Sequence, residues 1–589
     1  GDTFSKLPDL KGAEYEGSWL QGKMHGKGCL RWPDGRYFQG QFRQNQRHGF
    51  GKMEIPEVTN KGRSKTIFEG QWKFDKFEGH GKIIYANGDV YQGMVKDGKP
   101  HGQGVMKQGK FIGKPYDKCT GQDSLTFFTG SEASVYIGEW SQGLKSGYGV
   151  LDHIISGEKY MGMWSHDMKS GLGCVVTIDG VYYEGTFSHN KMSGKGLMIF
   201  EDETTYEGNF ADTGVFSGAG TMVTPNGDRF EGSFYGNYTD GMKFNGTIFK
   251  VVQSPQSPKD QEDFRPGNDK IGKHTVQADQ KWKSIYSHYH DIFSLPQPDS
   301  RGSFLNTPVI WEQLAISINQ AKNNAKLEFY KKIHHHGSNM SLDVDLDGIE
   351  MIPDYFAQDL TMEYLNNLKT YLNKAFNSPF HPLANLLNSL ADCFTSTYGG
   401  VRVHPRLLKH AVDELHSMVD GVYYFIRALF PALPRIGDCK VIDLEDKCTG
   451  QDKGEFVTMT SIVFPYILPR LHPSVFMLYA LHYKREDDGY WVRILKWNKH
   501  PDLALLSFLE VNKKFWSIED ASIQATEKNV HFTKGIFFFF FFSIYQFFLR
   551  FIFSKFTFLS KFTKFTFFPI FFPVLHFLKI HILSKFAKV

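Results

Sequence analysis

Tyr15-Glu16-Gly17-Ser18-Trp19, followed after a short gap by Gly26-Lys27-Gly28, opens the reading of this chain because it recurs. Aromatic-x-Gly-x-aromatic, then a turn, then Gly-x-Gly, returns at Phe38 and Phe42 with Gly49 and Gly51, and at Phe68 and Trp72 with Gly79 and Gly81. It returns again at Tyr91 (Gly102, Gly104), Tyr136 and Trp140 (Gly147, Gly149), and Tyr160 and Trp164 (Gly171, Gly173). Tyr183 and Phe187 (Gly194, Gly196) and Tyr206 and Phe210 (Gly218, Gly220) follow, and a ninth copy from Phe230 decays towards Gly246. The uninterrupted spacing is 23 or 24 residues. Larger gaps before Phe68 and Tyr136 are expected to be loop insertions, near residues 56–66 and 115–129.

Side chains alternate along a strand, so the two aromatics and the glycine of each copy share one face. The glycine leaves room between two large rings for a neighbouring backbone or ring. The polar x positions, such as Glu16, Gln39, Glu69, Glu184, Glu207 and Glu231, point the other way. Asp34-Gly35, Asn87-Gly88, Asp179-Gly180 and Asn226-Gly227 lie between copies and are strong turn signals. Each copy is therefore a hairpin that cannot bury its aromatic face alone, and stacked copies give one elongated, single-layer antiparallel β-sheet.

The pattern resembles the MORN repeat family (membrane occupation and recognition nexus). That resemblance implies a twisted β-solenoid scaffold, associated with phospholipid contact, dimerisation, or an aromatic groove that holds a helix. Tyr15, Trp19, Phe38, Phe42, Phe68, Trp72, Tyr91, Tyr136, Trp140, Tyr160, Trp164, Tyr183, Phe187, Tyr206 and Phe210 form the ring stripe, read either as repeat core or as partner groove. The charge is +7 over residues 1–110 and −6 over 150–250. A basic first half can lean on an anionic leaflet, and a solvated face explains the same charges.

The chain has 589 residues, enough for more than one domain, with 41% hydrophobic and 22% charged residues. A net charge of +4 excludes a strongly basic nucleic-acid binder, and six unpatterned cysteines exclude a disulfide scaffold. Residues 536–589 stand apart: they hold 20 of the 54 phenylalanines, seven Lys or Arg, and no Asp, Glu or Gly. Two readings of this tail stay open. It is either a membrane anchor, with 18 residues from Ile536 carrying only Arg550, or a translated A/T-rich intron that is no native domain. Expressed as it stands, it is an aggregation hazard.

Residues 251–278 read as a linker, and a helical period follows. Helices are expected over 307–332, 359–376, 382–398 and 405–430, with prolines breaking the pattern between Phe464 and Pro473. A short helix over 474–482, a strand or helix over 490–497 and a helix over 501–511 are expected after that, and 433–454 reads as a loop. Asp343-Val344-Asp345-Leu346-Asp347-Gly348 starts like a calcium loop, but the twelfth position is Asp354 where a bidentate Glu is wanted, the eighth is Glu350 where an apolar residue is usual, and Pro353 sits where the exit helix should begin. His334-His335-His336 is read as a helix end, and Cys439 and Cys448 lack a partner pair at zinc spacing. Asp-Lys-Cys-Thr-Gly-Gln-Asp occurs at 117–123 and again at 446–452, both in expected loops. No phosphate loop, nucleophile elbow or kinase signature occurs. No catalytic, cofactor-binding or metal-binding residue is assigned, and no cofactor is expected.

Phe380-His381-Pro382-Leu383, Leu407-Leu408, Ala411-Val412 and Ala428 to Pro434 look like the region after the MORN array in the alsin family. So do Leu468-Pro469-Arg470-Leu471, Phe476 to Leu481, Asn498 to Leu506 and Lys514-Phe515-Trp516. The resemblance implies guanine nucleotide exchange on early-endosomal Rab GTPases through a helical vacuolar-sorting-type domain. That chemistry needs an acidic pair close before Phe or Leu and Pro, then a Tyr. Ser461-Ile462-Val463-Phe464-Pro465-Tyr466 has the apolar frame without the acid. In the family the exchange domain lies downstream of the stretch matched by Lys514-Phe515-Trp516, where this chain has its Phe-rich tail. The absence of Met at position 1 fits regulatory domains lying upstream.

The expected organisation is a lead-in (1–14), a MORN array of eight or nine repeats (15–250), the linker (251–278), an α-helical domain (279–535) and the tail (536–589). The expected function is a scaffold and regulatory part of an alsin-like exchange factor, cytoplasmic and peripheral on endosomal or vesicle membranes, with the catalytic domain missing. Whether the chain itself counts as an enzyme stays open. Expected partners are an early-endosomal Rab GTPase, anionic phospholipid and further copies of the chain, with no nucleic acid. The alternative is a stand-alone MORN scaffold that binds phospholipid membrane or cytoskeletal partners.

Overall fold

The computed structural model describes residues 10–59, 62–112, 127–237, 240–250, 271–295, 306–336, 359–399, 403–444, 453–484, 487–489 and 492. The tail at 536–589, the calcium-like stretch, both heptapeptide copies and the helix expected over 501–511 lie outside them, as does 490–497 except Val492.

Eighteen strands, from β1 (Glu14–Leu20) and β2 (Lys23–Arg31) to β17 (Arg229–Asn237) and β18 (Gly241–Phe249), form one antiparallel sheet. Each strand pairs with the next in sequence, so every repeat is a hairpin and nine hairpins lie side by side. In the first seven hairpins the strands join through two-residue turns with both residues at positive φ, such as Gln44-Asn45 (50° and 71°) and His166-Asp167 (51° and 65°). That is the turn whose twist matches a right-handed hairpin. The second turn residue also stitches repeats together. Asn45 Oδ1 accepts from the Met24 N–H at 2.7 Å, and Asn190 Oδ1 accepts from the Lys169 N–H at 2.7 Å.

The two glycines of Gly-x-Gly do different work. The first, such as Gly26 at φ 73°, sits in the left-handed region where the register slips within the hairpin. The second joins an unbroken row with the glycine between the aromatics. Gly17 pairs with Gly28, Gly28 with Gly40, Gly40 with Gly51, and the row runs on through Gly220, Gly232 and Gly246.

The insertion near 56–66 is not a loop. It lengthens the hairpin of β4 (Gln46–Thr59) and β5 (Gly62–Lys73), which stay paired out to Thr59 and Gly62. Pro56 is tolerated because β3 (Tyr37–Arg43) reaches only to Glu54 on the other side, so no ladder bond is lost there. β8 (Lys99–Ile112) and β9 (Phe127–Ser141) likewise extend until Ile112 faces Phe127, and 113–126 lie outside the described residues.

The helices are α1 (Ala278–Ile292), α2 (Thr307–His336), α3 (Met362–Asn377), α4 (Pro382–Tyr398), α5 (Leu408–Leu429) and α6 (Met459–His482), with a 3₁₀ turn at Pro405–Leu407. The chain divides into two compact units: Gly1–Tyr355 with Thr370–Phe430, and Phe356–Lys369 with Pro431–Val589. The first thus contains the sheet together with α1, α2, α4 and α5.

In the second unit two expectations fail. Residues 433–454 hold no simple loop: β19 (Lys440–Leu444) pairs with β20 (Lys453–Val457). The prolines do not break the chain either, since α6 runs through Pro465, Pro469 and Pro473. Spacing by four puts all three on one side, while Ile462, Val463, Ile467, Leu471 and Leu478 are buried. Thr458 and Ser461 form a capping box that fixes the start. Burial of that apolar side outweighs a local preference of about 3 kcal/mol per proline. Lys369 pairs with Glu455 at 2.6 Å, and the Tyr466 hydroxyl donates to the Lys369 carbonyl.

Candidate functional site: a ring ladder and a helical dock

One face of the sheet carries the rings. The first aromatic of a repeat lies flat over its two paired glycines. A Cβ on Gly149 would come within 2.3 Å of the Tyr136 hydroxyl, and one on Gly28 within 2.5 Å of the Tyr15 ring. The hydroxyl then donates to the carbonyl three residues on, as in Tyr15 to Ser18, Tyr136 to Glu139 and Tyr160 to Met163. The second aromatic stands edge-on between two first aromatics. Phe187 is 5.0 Å from Tyr160 of the preceding repeat and 5.4 Å from Tyr183 of its own. Trp164 makes the same pair of contacts with Tyr136 and Tyr160, and Phe42 with Tyr15 and Phe38. Edge-to-face geometry is the favoured one for such rings.

Twelve of the fifteen stripe residues are buried in this ladder, from Phe38 at 0% exposure to Trp72 at 7%. Tyr15 and Phe68 are half-buried, and Trp19, in the edge strand, is 48% exposed. Phe68 does not cover its glycines; Phe77 lies over Gly70 and Gly81 instead. Three cations stand on the rings: Arg47 over Trp72, Lys145 over Trp164 and Tyr136, and Lys169 over Tyr160. Arg47 also pairs with Asp75, and Lys169 with Glu158. Burial pulls the Lys145 ammonium below its ordinary range.

The opposite face is a dock for helices, which the sequence reading missed. Near α4 and α1 the middle strands are buried on both faces: Val150, Met161, Cys174, Val176, Leu197 and Ile199 all lie inside. The signal was present, because Ile137 and Met161 occupy x positions that carry Glu or Gln in other repeats. Polar groups then fix the docking. Lys159 donates to the carbonyls of Ser396 and Gly399 at the end of α4, where helix carbonyls lack partners. Glu184 accepts from the N–H groups of Gly272 and His274 and from the Tyr182 hydroxyl, while burial pushes its carboxyl up. Arg406 pairs with Glu203, and Gln103 donates to Ser284 of α1.

At the centre Lys281 of α1 and Glu414 of α5 form an almost fully buried ion pair. Lys281 also stands over the Tyr148 and Tyr398 rings. His410 bonds Tyr398 at 2.6 Å and Thr275 at 3.0 Å, and burial with the nearby Lys281 charge brings it down to about 3. Burial raises the thiols of Cys174 and Cys393 to about 12, so neither is a nucleophile. Among the described residues no cluster of three or more His, Cys, Asp or Glu side chains could hold a metal, and no helix is long and apolar enough to cross a membrane.

Comparison with known proteins finds relatives of both the repeats and the helices. The MORN repeat matches residues 15–35, 38–56, 68–90, 91–109, 136–153, 160–181 and 183–205, and the alsin helical array domain matches 300–472. Human alsin (Homo sapiens) is 37% identical over 533 residues, which cover 87% of this chain and 30% of alsin. The chain is an alsin homologue. The human ALS2 C-terminal-like protein is 32% identical over 528 residues, covering 89% of the chain and 50% of that protein. The Drosophila melanogaster alsin homolog is 31% identical over 146 residues, covering 24% of the chain and 9% of that protein. This alsin homologue thus spans between about a third and a half of the human relatives' lengths. Seven repeats match the family, and the hairpins of Thr205–Asp212 with Val215–Val223 and of β17 with β18 extend the same sheet.

Proposed function

We propose that this alsin homologue is the MORN scaffold and regulatory part of a guanine nucleotide exchange factor for early-endosomal Rab GTPases. The observation that carries the reading is the docking of α1 and α4 on the second face of the repeat sheet, with α5 packed on both helices, which joins array and helices in one unit. Such a unit presents surfaces and holds a catalytic module in place. Phe464-Pro465-Tyr466 is not preceded by an acid, and Tyr466 uses its hydroxyl within its own unit, on the Lys369 carbonyl. In this reading the chain acts in the cytoplasm, peripheral on endosomal or vesicle membranes, and its partners are the Rab GTPase, anionic phospholipid and further copies of itself.

Release of fluorescent GDP from an early-endosomal Rab tests the split. The chain alone should leave release at background, and joining it to a vacuolar-sorting-type exchange domain should raise it. Strong release by the chain alone refutes the proposal. A stand-alone membrane scaffold is the second reading, favoured by the cations Arg47, Lys145 and Lys169 on the ring face. It calls for flotation of the chain with phosphatidylserine vesicles that is lost with added salt, and for no effect on any joined exchange domain.

A further inference from the structure

Helix α6 goes against local preference three times on its exposed side. Pro465, Pro469 and Pro473 are all exposed, and Met477 continues the line at 49% exposure. In α2 and α4 proline stands in the first turn, where no N–H is needed. Inside a helix each proline costs about 3 kcal/mol against alanine. None of the three belongs to the buried side of α6, so their own packing does not offset that cost. A local rule broken without a gain in packing marks a functional surface.

Proline has no N–H, so the carbonyls of Ser461, Pro465 and Pro469 lack the amide donor four residues on. They recur about 6 Å apart along the axis, in a stretch where all three residues are exposed. Each carbonyl keeps the partial negative charge that a helical hydrogen bond would have answered. The Arg470 guanidinium donates to the Tyr466 carbonyl at 2.7 Å, so a side-chain donor reaches the backbone of this stretch. Arg470 is the only Asp, Glu, Lys or Arg of α6, so no carboxylate of the helix draws a cationic partner.

We infer that the proline line of α6 is a docking surface for a protein partner whose contact side is lined with tyrosine and tryptophan. A flat ring lies on a pyrrolidine, and the O–H or N–H at its rim donates to a carbonyl that proline has left without its donor. Aromatic donors answer both features at once, as they do where proline-rich segments dock in aromatic grooves. A lysine or arginine would meet the charge of Arg470. An aliphatic surface would strip water from the carbonyls and give no donor in return. The inference is independent of the GTPase link.

Methyl NMR of the full chain, labelled at its methionine methyl groups, tests it, with the Met477 signal assigned through Met477→Leu. N-acetyl-tryptophanamide and N-acetyl-tyrosinamide serve as probes for the partner's side chains. Both should shift the Met477 signal saturably. N-acetyl-phenylalaninamide has the ring without the rim donor and should bind roughly fivefold more weakly, the size of one net hydrogen bond. N-acetyl-leucinamide should give no saturable shift. The double variant Pro465→Ala/Pro469→Ala returns amide donors to the Ser461 and Pro465 carbonyls and removes two rings. It should unfold at a higher temperature than the wild type and lose the Met477 response, which separates lost docking from lost folding. A variant no more stable than the wild type removes the premise and overturns the inference. So do equal responses to the tyrosine and phenylalanine amides, a response that survives in the double variant, or no response at all. A Met477 shift on adding phosphatidylserine vesicles, or on raising the chain concentration, gives the face to a membrane or to a second copy and overturns the aromatic partner.

Discussion

The indole N–H of Trp164 donates to the carbonyl oxygen of Gly149, 3.2 Å away in the preceding repeat. Trp72 and Trp140 do the same to Gly51 and Gly104, each a member of the glycine row. The second aromatic therefore ties repeats together by packing and by a hydrogen bond at once. Trp164→Phe keeps the ring contacts and leaves a buried carbonyl without that donor. The expected cost is about 1–2 kcal/mol in urea unfolding, with unchanged far-UV circular dichroism. No loss would mean that the bond adds nothing to ring packing.

Gly173→Ala should be the more damaging of two superficially similar changes. Its Cβ would meet the Tyr160 ring at 2.7–2.9 Å, so the ring must leave its place and disturb the rings beside it. About 2–3 kcal/mol is expected. Gly180 lies in an inter-repeat turn at φ 91° with nothing within 4 Å, and Gly180→Ala should cost only about 1 kcal/mol, from backbone strain. Equal losses in thermal denaturation would count against a steric role for the row.

The buried pair of Lys281 and Glu414 holds α1 to α5 at the centre of the dock. Lys281→Met strands a carboxylate whose pKa burial already raises, at a cost of about 3–5 kcal/mol. Lys281→Met combined with Glu414→Leu removes both charges and should recover most of that loss. A double variant as unstable as the single one would show that the pair is needed as such.

Acid should weaken the dock through its histidines. Burial holds His404 at about 4 and His410 at about 3, against an ordinary value of 6.5. Both are neutral when folded and bind protons when unfolded, so their share of stability is complete above pH 6.5 and is lost as pH falls towards 4 and 3. Glu139, raised to about 7 by burial, works in the other direction. His410→Gln keeps a polar partner for Tyr398 and removes one titration. Its stability should fall less steeply than the wild type's between pH 6.5 and 4.5, and an unchanged slope in a denaturation series would exclude His410 as a contributor.

The paired glycine row of the repeat sheet was legible, because each hairpin repeats it, whereas the lengthening of β4 and β5 through the insertion near 56–66 was not. The substitution of Phe77 for Phe68 was not, since either ring can reach Gly70 and only packing chooses. The helix over 382–398 matched its expectation, with His381 capping Leu383 N and Pro382 in the first turn. α1 went unrecognised because Lys281, Lys283, His288 and His290 dilute its apolar period, yet Lys281 and His290 are buried. The continuity of α6 through three prolines was equally hidden, since local preference opposes it and burial decides it.

By itself the sequence determined the hairpin, its turns and the single-layer sheet, because all of these depend on contacts close along the chain, such as Gly17 with Gly28 and Gly28 with Gly40, that recur with the repeat. Kinship with alsin was also readable from the repeats and the helical segments after them. Only the tertiary structure decided which face of the sheet the helices take, which rings are covered, and that Lys159, Glu184 and Arg406 serve the dock. Those contacts join residues more than 80 positions apart, where periodicity carries no information and the choice falls to burial and to the pairing of buried charge.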